Sequence, residues 1–435
     1  RASEAESVLR GVGTAQGLPT ELSCDLRSVA VEVFSHTLDI RATRRWLEVL
    51  AEVAPAGSAS ACRVLAGRLV LMTRLKEADR AGLSERVDAA IASEQGVGLA
   101  RLLRARAWVR SRRGDASGAR ADLLAALREA EGADWAWECS IICKFLATLC
   151  DHAGEHEAAE AWLVQRWAHL APAVPREEDG DGLVVLARIR LGQGRLVESV
   201  ELLQDQLLRA RTQGHRGNVT HQLGALGNTF AIGGRLEEAL TAWKEALRHA
   251  RALGSRELVG SLTYNIAEVS WWRGDAEAAL SGLAKARQVF EETGQSLYDA
   301  FAQVTMARIL LRLDRVEEAE MLVSTSLSVL EPWGRPQGLA EALLVRAELW
   351  ARRGVAGAEA LGDRALALGR QGSTAGDLVA VLAMRGEVAL HMGDEEQAWD
   401  LCSEAQDHIE RLGLAEGAGP VLAARRLQRL LEDAP

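Results

Sequence analysis

Lysine, proline and tyrosine are scarce in this chain, and long apolar runs are missing. Of 51 basic residues only Lys76, Lys144, Lys244 and Lys285 are lysine. An arginine bias of that size is first a codon bias, and only second a choice of guanidinium forks for anions. Eight prolines in 435 residues leave little to interrupt helices. No apolar run approaches the ~18 residues of a membrane span, and the charged start from Arg1 to Glu6 lacks the apolar core of a signal peptide. A chain that begins at Arg1 is expected to be an excised or processed piece of a longer protein. The net charge of −10 gives no overall pull toward nucleic acid. Six cysteines, Cys24, Cys62, Cys139, Cys143, Cys150 and Cys402, form no dense pairing framework, so a reducing, cytoplasmic setting is expected. The motifs G-x-x-x-x-G-K-[ST], G-x-S-x-G, H-E-x-x-H and C-x-x-C are all missing, which argues against an enzyme and against a bound cofactor.

What is present is a period. Turn residues recur at Gly114, Gly154, Gly194, Gly234, Gly274, Asp314, Gly354 and Gly393, forty residues apart except for one interval of thirty-nine. Seven residues before each turn stands a small residue: Ala107, Ala147, Ala187, Gly227, Ala267, Ala307, Ala347 and Gly386. Five residues after each turn a second register holds Ala119, Ala159, Ser199, Ala239, Ala279, Ala319, Glu359 and Ala398. Self-similarity at such a period marks a stacked repeat architecture, which grows by adding units to a stack. The fold class is therefore all-α, an α-solenoid: a right-handed superhelix of antiparallel helix hairpins.

The unit 220–259 shows how one repeat works. Leu223, Leu226 and Phe230 form one apolar stripe from Thr220 to Ile232. Gly233 and Gly234 break that helix, and a second from Leu236 to Leu253 turns Ala239, Leu240, Trp243, Ala246 and Leu247 inward. Gly254 ends it, with Gly214, Gly294 and Gly334 in equivalent places. Gly227 and Ala239 mark a close helix crossing, and Trp243 fills the wider end of the wedge. Leu226, Gly227, Phe230, Gly234, Ala239, Trp243 and Ala246 together resemble the tetratricopeptide repeat signature. The resemblance covers residues ~100–418 and departs from the family in two ways. The period is forty residues where the usual one is about 34, which implies roughly one and a half extra helical turns per unit. Arg106, Arg346 and Arg385 stand where the signature expects Leu, and Glu359 where it expects Ala; those units are expected to be rotated or partly exposed. Repeats this long resemble the C-terminal sensor regions of bacterial multidomain regulators of the maltose-activator type, and kinase-linked repeat proteins. HEAT-type repeats share the length but leave the paired small registers unexplained.

Four segments follow. Residues 1–22 read as a linker or short helix from an upstream domain, with turn residues between Gly13 and Pro19. Residues 23–99 hold divergent helical hairpins, with helices at Leu26–Leu38, Thr43–Glu52, Ala59–Leu75 and Leu83–Ser93. Eight repeats fill 100–418. Residues 419–435 make a capping helix from Val421 to Glu432, with Leu422, Leu427 and Leu430 apolar and Arg425, Arg426 and Arg429 outward.

Candidate sites follow from that geometry. Cys139, Cys143, Cys150, His152 and His156 tempt a zinc assignment, but their spacing fits no compact site, and Cys143 and Cys150 fall on the buried stripe. No metal is expected. The glycines Gly11, Gly13 and Gly17 miss the dinucleotide-loop spacing, and no strand precedes them. Carboxylates such as Glu157, Glu160, Glu317 and Glu318 fall on the solvent faces of second helices. In a solenoid of this kind the first helices line the concave surface. Residues a turn either side of the small register there are Arg101, Arg104, Trp108, Lys144 and Arg188, then His221, Asn228, Tyr264, Glu268, Trp271 and Arg308, then Glu341, Glu348 and Glu387. A groove basic at one end and acidic at the other would orient an extended partner. Asn228 and Asn265 resemble the asparagine pair of chaperone-binding repeats, but Gly224, Phe301 and Thr305 occupy the flanking places where that clamp carries basic residues. Of Trp271 and Trp272, one is expected to pack between hairpins and the other to serve as an aromatic anchor.

These features imply a non-catalytic interaction module that takes a peptide, a partner protein or a neighbouring domain of the same chain in its groove. A small-molecule sensor of a larger regulator is the alternative, using the Trp, Tyr, His and Asn residues of the middle units as a pocket. The arginines at 101, 104, 106, 110, 112 and 113 make one local basic patch, too little to imply nucleic acid. No membrane partner is expected.

Overall fold

In a computed structural model of the chain, the structure describes residues 40–433 apart from 56–57, 76–81, 113–114, 172, 215, 294, 334–335 and 373–374. Cys24, the linker, the helix expected at Leu26–Leu38, and turn glycines 114, 294 and 334 lie outside the described residues. Twenty α-helices and one short 3-10 turn, with no strand, make up the described residues.

Two compact units emerge, one of Arg1–Leu146 with Trp162–Glu178 and a second of Ala147–Ala161 with Asp179–Pro435. The first begins with α1 (Ile40–Val53), α2 (Ala59–Leu75) and α3 (Leu83–Ser93), followed by α4 (Gly96–Arg112) and α5 (Ala116–Gly132). Its core joins Cys62, Leu69, Val87, Leu102 and Val109. α6 (Ala136–His152) and α7 (His156–Leu170) contribute residues to both units.

The second unit is the regular one. Its hairpins pair α8 (Gly180–Gly192) with α9 (Leu196–Thr212), α10 (Arg216–Ile232) with α11 (Leu236–Ala252), and α12 (Arg256–Trp272) with α13 (Ala276–Glu292). They continue with α14 (Ser296–Arg312) and α15 (Val316–Trp333), α16 (Pro336–Arg352) and α17 (Ala358–Gly372), then α18 (Ala375–His391) and α19 (Glu395–Leu412). The last helix is α20 (Gly419–Glu432). In the hairpin of α10 and α11, two 17-residue helices and two three-residue turns account for the forty-residue period. The first helix starts at Arg216, four residues before the sequence pattern placed it, and takes up the extra turn.

The turn register has a conformational cause. Gly154, Gly194, Gly234, Gly274, Gly354 and Gly393 all adopt left-handed φ between 65° and 85°. This lets the next amide reach back across the helix end, as when Arg235 N donates to Phe230 O at 2.8 Å. Asp314 does the same with φ 57° and no glycine. In five of these units the next position solves the helix start in one of two ways. Asp275 and Asp394 cap the second helix, accepting from Ala278 N and Gln397 N at 3.0 Å. Arg195, Arg235 and Arg315 cannot accept, and instead pair with a Glu three residues on.

The small registers are buried wherever Ala, Gly or Ser stands in them. A Cβ on Gly227 would lie 2.3 Å from Trp243 Nε1, and one on Gly386 would lie 2.4 Å from Leu427. In the departing unit α17 starts two residues late, so Ala358 is buried and Glu359 faces solvent. Arg385 is fully buried: its stem lies against Gly362 and its guanidinium reaches Asp363 at 2.9 Å. It is not exposed as the pattern implied. Arg106 pairs with Asp122 and Asp88, and Arg346 donates to Ser324. On α20 the buried stripe is Val421, Ala424, Leu427 and Leu431; Leu422 and Leu430 are only half-buried. Arg426 does not point outward, because Glu387 draws its Nε to 3.2 Å.

Candidate functional site

Trp243 organises the middle of the second unit. Its indole rests on Gly227 and its Nε1–H donates to Gly224 O and to Asn228 Oδ1, both at 3.1 Å. Asn265 on α12 donates its Nδ2 to the same Asn228 oxygen at 3.0 Å. That oxygen is thereby committed twice, which fixes both amides. The Asn228 amide hydrogens and the Asn265 carbonyl stay available, and Asn228 is exposed.

A charged group adjoins the pair. Tyr264 hydrogen-bonds Thr305 at 3.0 Å, and Arg308 donates to Glu341 at 2.8 Å. Glu268 has Tyr264 as its hydrogen-bond partner, while Arg308 is already engaged by Glu341. Burial, reinforced by the charge of Glu341, pushes the Glu268 carboxyl up to about 7. Burial likewise raises the Tyr264 phenol well above its usual value. Trp271 is half-buried beside Tyr264, packed on the cluster of Ala267, Leu283 and Phe290. His221 is exposed on α10.

The late acidic positions are occupied by the fold itself. Glu348 accepts from Arg312 at 2.7 Å and from Arg352 at 2.6 Å, with His391 at 3.6 Å. Burial opposes its ionisation, but His391, Arg312 and Arg352 outweigh it and hold the carboxyl at about 2. Arg312 also reaches past α16 to Glu387 on α18. The basic positions are engaged too. Arg188 pairs with Asp151 in the second unit. In the first unit, Arg104 pairs with Glu138 at 2.5 Å and Arg101 lies 4.2 Å over the Trp135 ring. Trp108 packs against the first unit's core, and Lys144 is half-buried.

The Trp243 indole as a donor to Asn228, and the ion pairs of Arg312, Arg352 and His391, were not read from the sequence. A signal for the latter exists. On successive first helices Glu268, Arg308, Glu348 and Glu387 share one register, and Arg312, Arg352 and His391 share the next turn. Charges of opposite sign a turn apart on neighbouring helices predict such pairs. The cysteines at 62, 139, 143, 150 and 402 are all buried and in no disulfide, and no described His, Cys, Asp or Glu side chains group to hold a metal ion. Among the described residues no helix is long and apolar enough to cross a membrane.

With the hairpins and their small registers in place, comparison with known proteins decides the architecture. The family profile described as Tetratricopeptide repeat matches residues 258–331. Those residues are tetratricopeptide repeats. Solved structures agree on the fold. A Rap protein complexed with Competence and Sporulation Factor superposes with TM-score 0.60 at 12% identity, covering 91% of this chain and 99% of that one. Aspartyl phosphate phosphatase F from Bacillus subtilis gives TM-score 0.52 at 13% identity, covering 92% and 98%. The apo form of RapI gives 0.51 at 10% identity, covering 63% and 98%. At such identities the likeness establishes the tetratricopeptide fold and nothing finer. No curated protein matches the sequence.

Proposed function

We propose that this chain is a non-catalytic regulatory module whose tetratricopeptide repeats take an extended peptide, either free or as a segment of a partner protein or a neighbouring domain. The observation that supports this reading is the fixed pair Asn228–Asn265. One uncommitted amide donor and one uncommitted carbonyl acceptor, side by side, complement the C=O and N–H of a peptide backbone. Tyr264, Glu268, Arg308, Trp271 and His221 flank the pair and would read side chains, with Arg188 beyond them. Regulation would follow from differential binding: a ligand that prefers one state of an attached effector shifts its population. Buried cysteines outside any disulfide support a reducing, cytoplasmic setting.

The test is a displayed library of random ten-residue peptides, selected on the parent and on the Asn228→Ala/Asn265→Ala variant. Trp243 Nε1 keeps Gly224 O as an acceptor, so helix content should hold. Losing two hydrogen bonds of about 1 kcal/mol each weakens an enriched peptide roughly 10- to 100-fold. Equal affinity for parent and variant refutes the backbone reading. The alternative, a small-molecule sensor, draws support from the walled cluster of Tyr264, Glu268 and Arg308. A metabolite screen by thermal shift tests it, since a bound ligand raises the melting temperature by mass action.

A further inference from the structure

The chain's last loop, residues 412–419, does two different things on its two sides. Toward its own end of the molecule it is well held. Leu414 and Ala418 join an apolar cluster with Val379, Leu382, Leu401, Ala405 and Ile409 from α18 and α19. Its amides bond locally, Leu414 N to Ile409 O at 3.1 Å and Ala418 N to Ala415 O at 2.9 Å. Its other side meets the turns of much earlier hairpins in the same unit, and there it faces glycine. A Cβ on Gly194 would lie 3.1 Å from Leu412 O. One on Gly234 would lie 2.9 Å from Ala415 Cβ and 3.1 Å from the Gly417 and Ala418 nitrogens. Trp272 alone of these early residues brings a large side chain, laid so close to Gly419 that a Cβ there would be 2.4 Å from its ring.

We propose that residues 412–419 are a strap that closes the second unit on itself against Gly194, Gly234 and Trp272, and that the unit opens by parting this seam while the strap stays on α18 and α19. The argument is the asymmetry of the two sides. Apolar side chains buried on the α18–α19 side make that attachment strong, whereas glycine turns against main chain remove little apolar surface from water. Openings of lowest free energy run through such poorly packed surfaces. The turn glycines have a second reason to be glycine at Gly194 and Gly234, beyond their left-handed φ: any side chain would hold the strap off. Gly413, itself left-handed at φ 59°, stands at the strap's start, where a hinge would take up the rotation. This inference does not rest on the peptide reading, since the seam parts or stays shut whatever the interior binds.

Spin labels at Arg235→Cys and Glu416→Cys, both exposed and one on each side of the seam, test it by pulsed dipolar distance measurement. A Cys24→Ser background is used, and the other native thiols are buried. The wedge is Gly417→Ala, whose Cβ would sit 2.7 Å from Gly234 O, a backbone atom that cannot swing aside. Gly417 does not lie in the left-handed region, so alanine suits its backbone. The expected result is one short distance with a longer minor component in the parent, about a tenth or less. The longer component becomes the majority in Gly417→Ala, with helix content unchanged and no rise in hydrogen exchange along α18. Should the wedge variant lose helix, Trp272→Ala, which removes the cross-seam ring, takes its place and is expected to lengthen the distance likewise. A single short distance in the parent and in the folded variants overturns the proposal. So does exchange rising equally at 412–418 and along α18, because the strap would then have left with its support.

Discussion

Replacing Glu268 with Gln removes one ionisable proton and leaves the shape of the site. The carboxyl is raised from 4.5 to about 7 by burial first and by the charge of Glu341 second, against the pull of Arg308; Asp377 adds to the rise, and the Tyr264 hydrogen bond opposes it. A group whose folded pKa is raised binds its proton more tightly in the fold than in the unfolded chain. Its contribution is therefore most favourable below about 4.5, is lost progressively as pH climbs toward 7, and stays lost above that. At about 1.4 kcal/mol per tenfold change in proton affinity, the full gap corresponds to ~3 kcal/mol. Glu268 keeps some solvent contact, which reduces this to ~1–2 kcal/mol. The assay is urea unfolding of parent and Glu268→Gln at pH 5 and pH 8, read as the difference between the two proteins at each pH. This cancels the carboxylates they share, including Glu348, whose depressed pKa acts in the opposite sense and at lower pH. Glu268→Gln should gain on the parent between pH 5 and pH 8. A gap that is the same at both values refutes the account of the site as a walled, electrostatically short-changed carboxylate.

Three further outcomes follow from the same geometry. Asp314→Gly should raise stability by about 0.5–1 kcal/mol in thermal unfolding, because a left-handed φ costs an L side chain and glycine nothing comparable. Gly227→Ala should lower stability by about 1–3 kcal/mol, since its Cβ lands 2.3 Å from the Trp243 indole; the loss should shrink in a Trp243→Leu background, which a double-mutant cycle measures. Cys143, pushed up to about 12 by burial, and Cys62 and Cys139, raised to about 11, should resist a thiol reagent at neutral pH in the fold and react at once in denaturant.

The period, the left-handed turns and the buried small registers were legible because each is a backbone requirement that few residue types meet. Positive φ selects glycine, and a close helix crossing selects glycine or alanine. In the departing unit the expected exposure is met at Glu359, but the shift that produces it was not legible, because the pattern carries no information about where a helix starts. The turn after Gly354 runs two residues longer, and Ala358 takes the buried place. Arg385 was misread because a long side chain can bury its stem on a glycine and deliver its charge to an acid beyond, here Gly362 and Asp363. Neither residue is visible from the period. Asn228 was legible as a groove residue, but its orientation was not. That depends on an indole fifteen residues away whose nitrogen happens to face it.

A residue's place in the register decides whether its charge is free for a ligand. On the first helices from α14 onward, the position four residues after Arg308, Glu348 and Glu387 carries Arg312, Arg352 and His391. Neighbouring first helices there neutralise one another, Arg312 with both Glu348 and Glu387. On α12 the same position is Trp272, which carries no charge to form an ion pair with a carboxylate. The alternation of charge thus stops one helix short, and Glu268 is the carboxylate left over, one turn from Asn265 on the same helix. Glu268 inherits no cation from its own repeat, and Arg308 on the next helix is taken by Glu341. The place where the later ion pairs end is the place where the Asn228 amide hydrogens and the Asn265 carbonyl stay available beside a carboxylate held by the Tyr264 hydroxyl and by no ion pair of its own. That coincidence, set by a tryptophan standing where the later repeats carry arginine or histidine, is the reason the proposed peptide site is placed on α10 and α12 and not along the acidic late repeats.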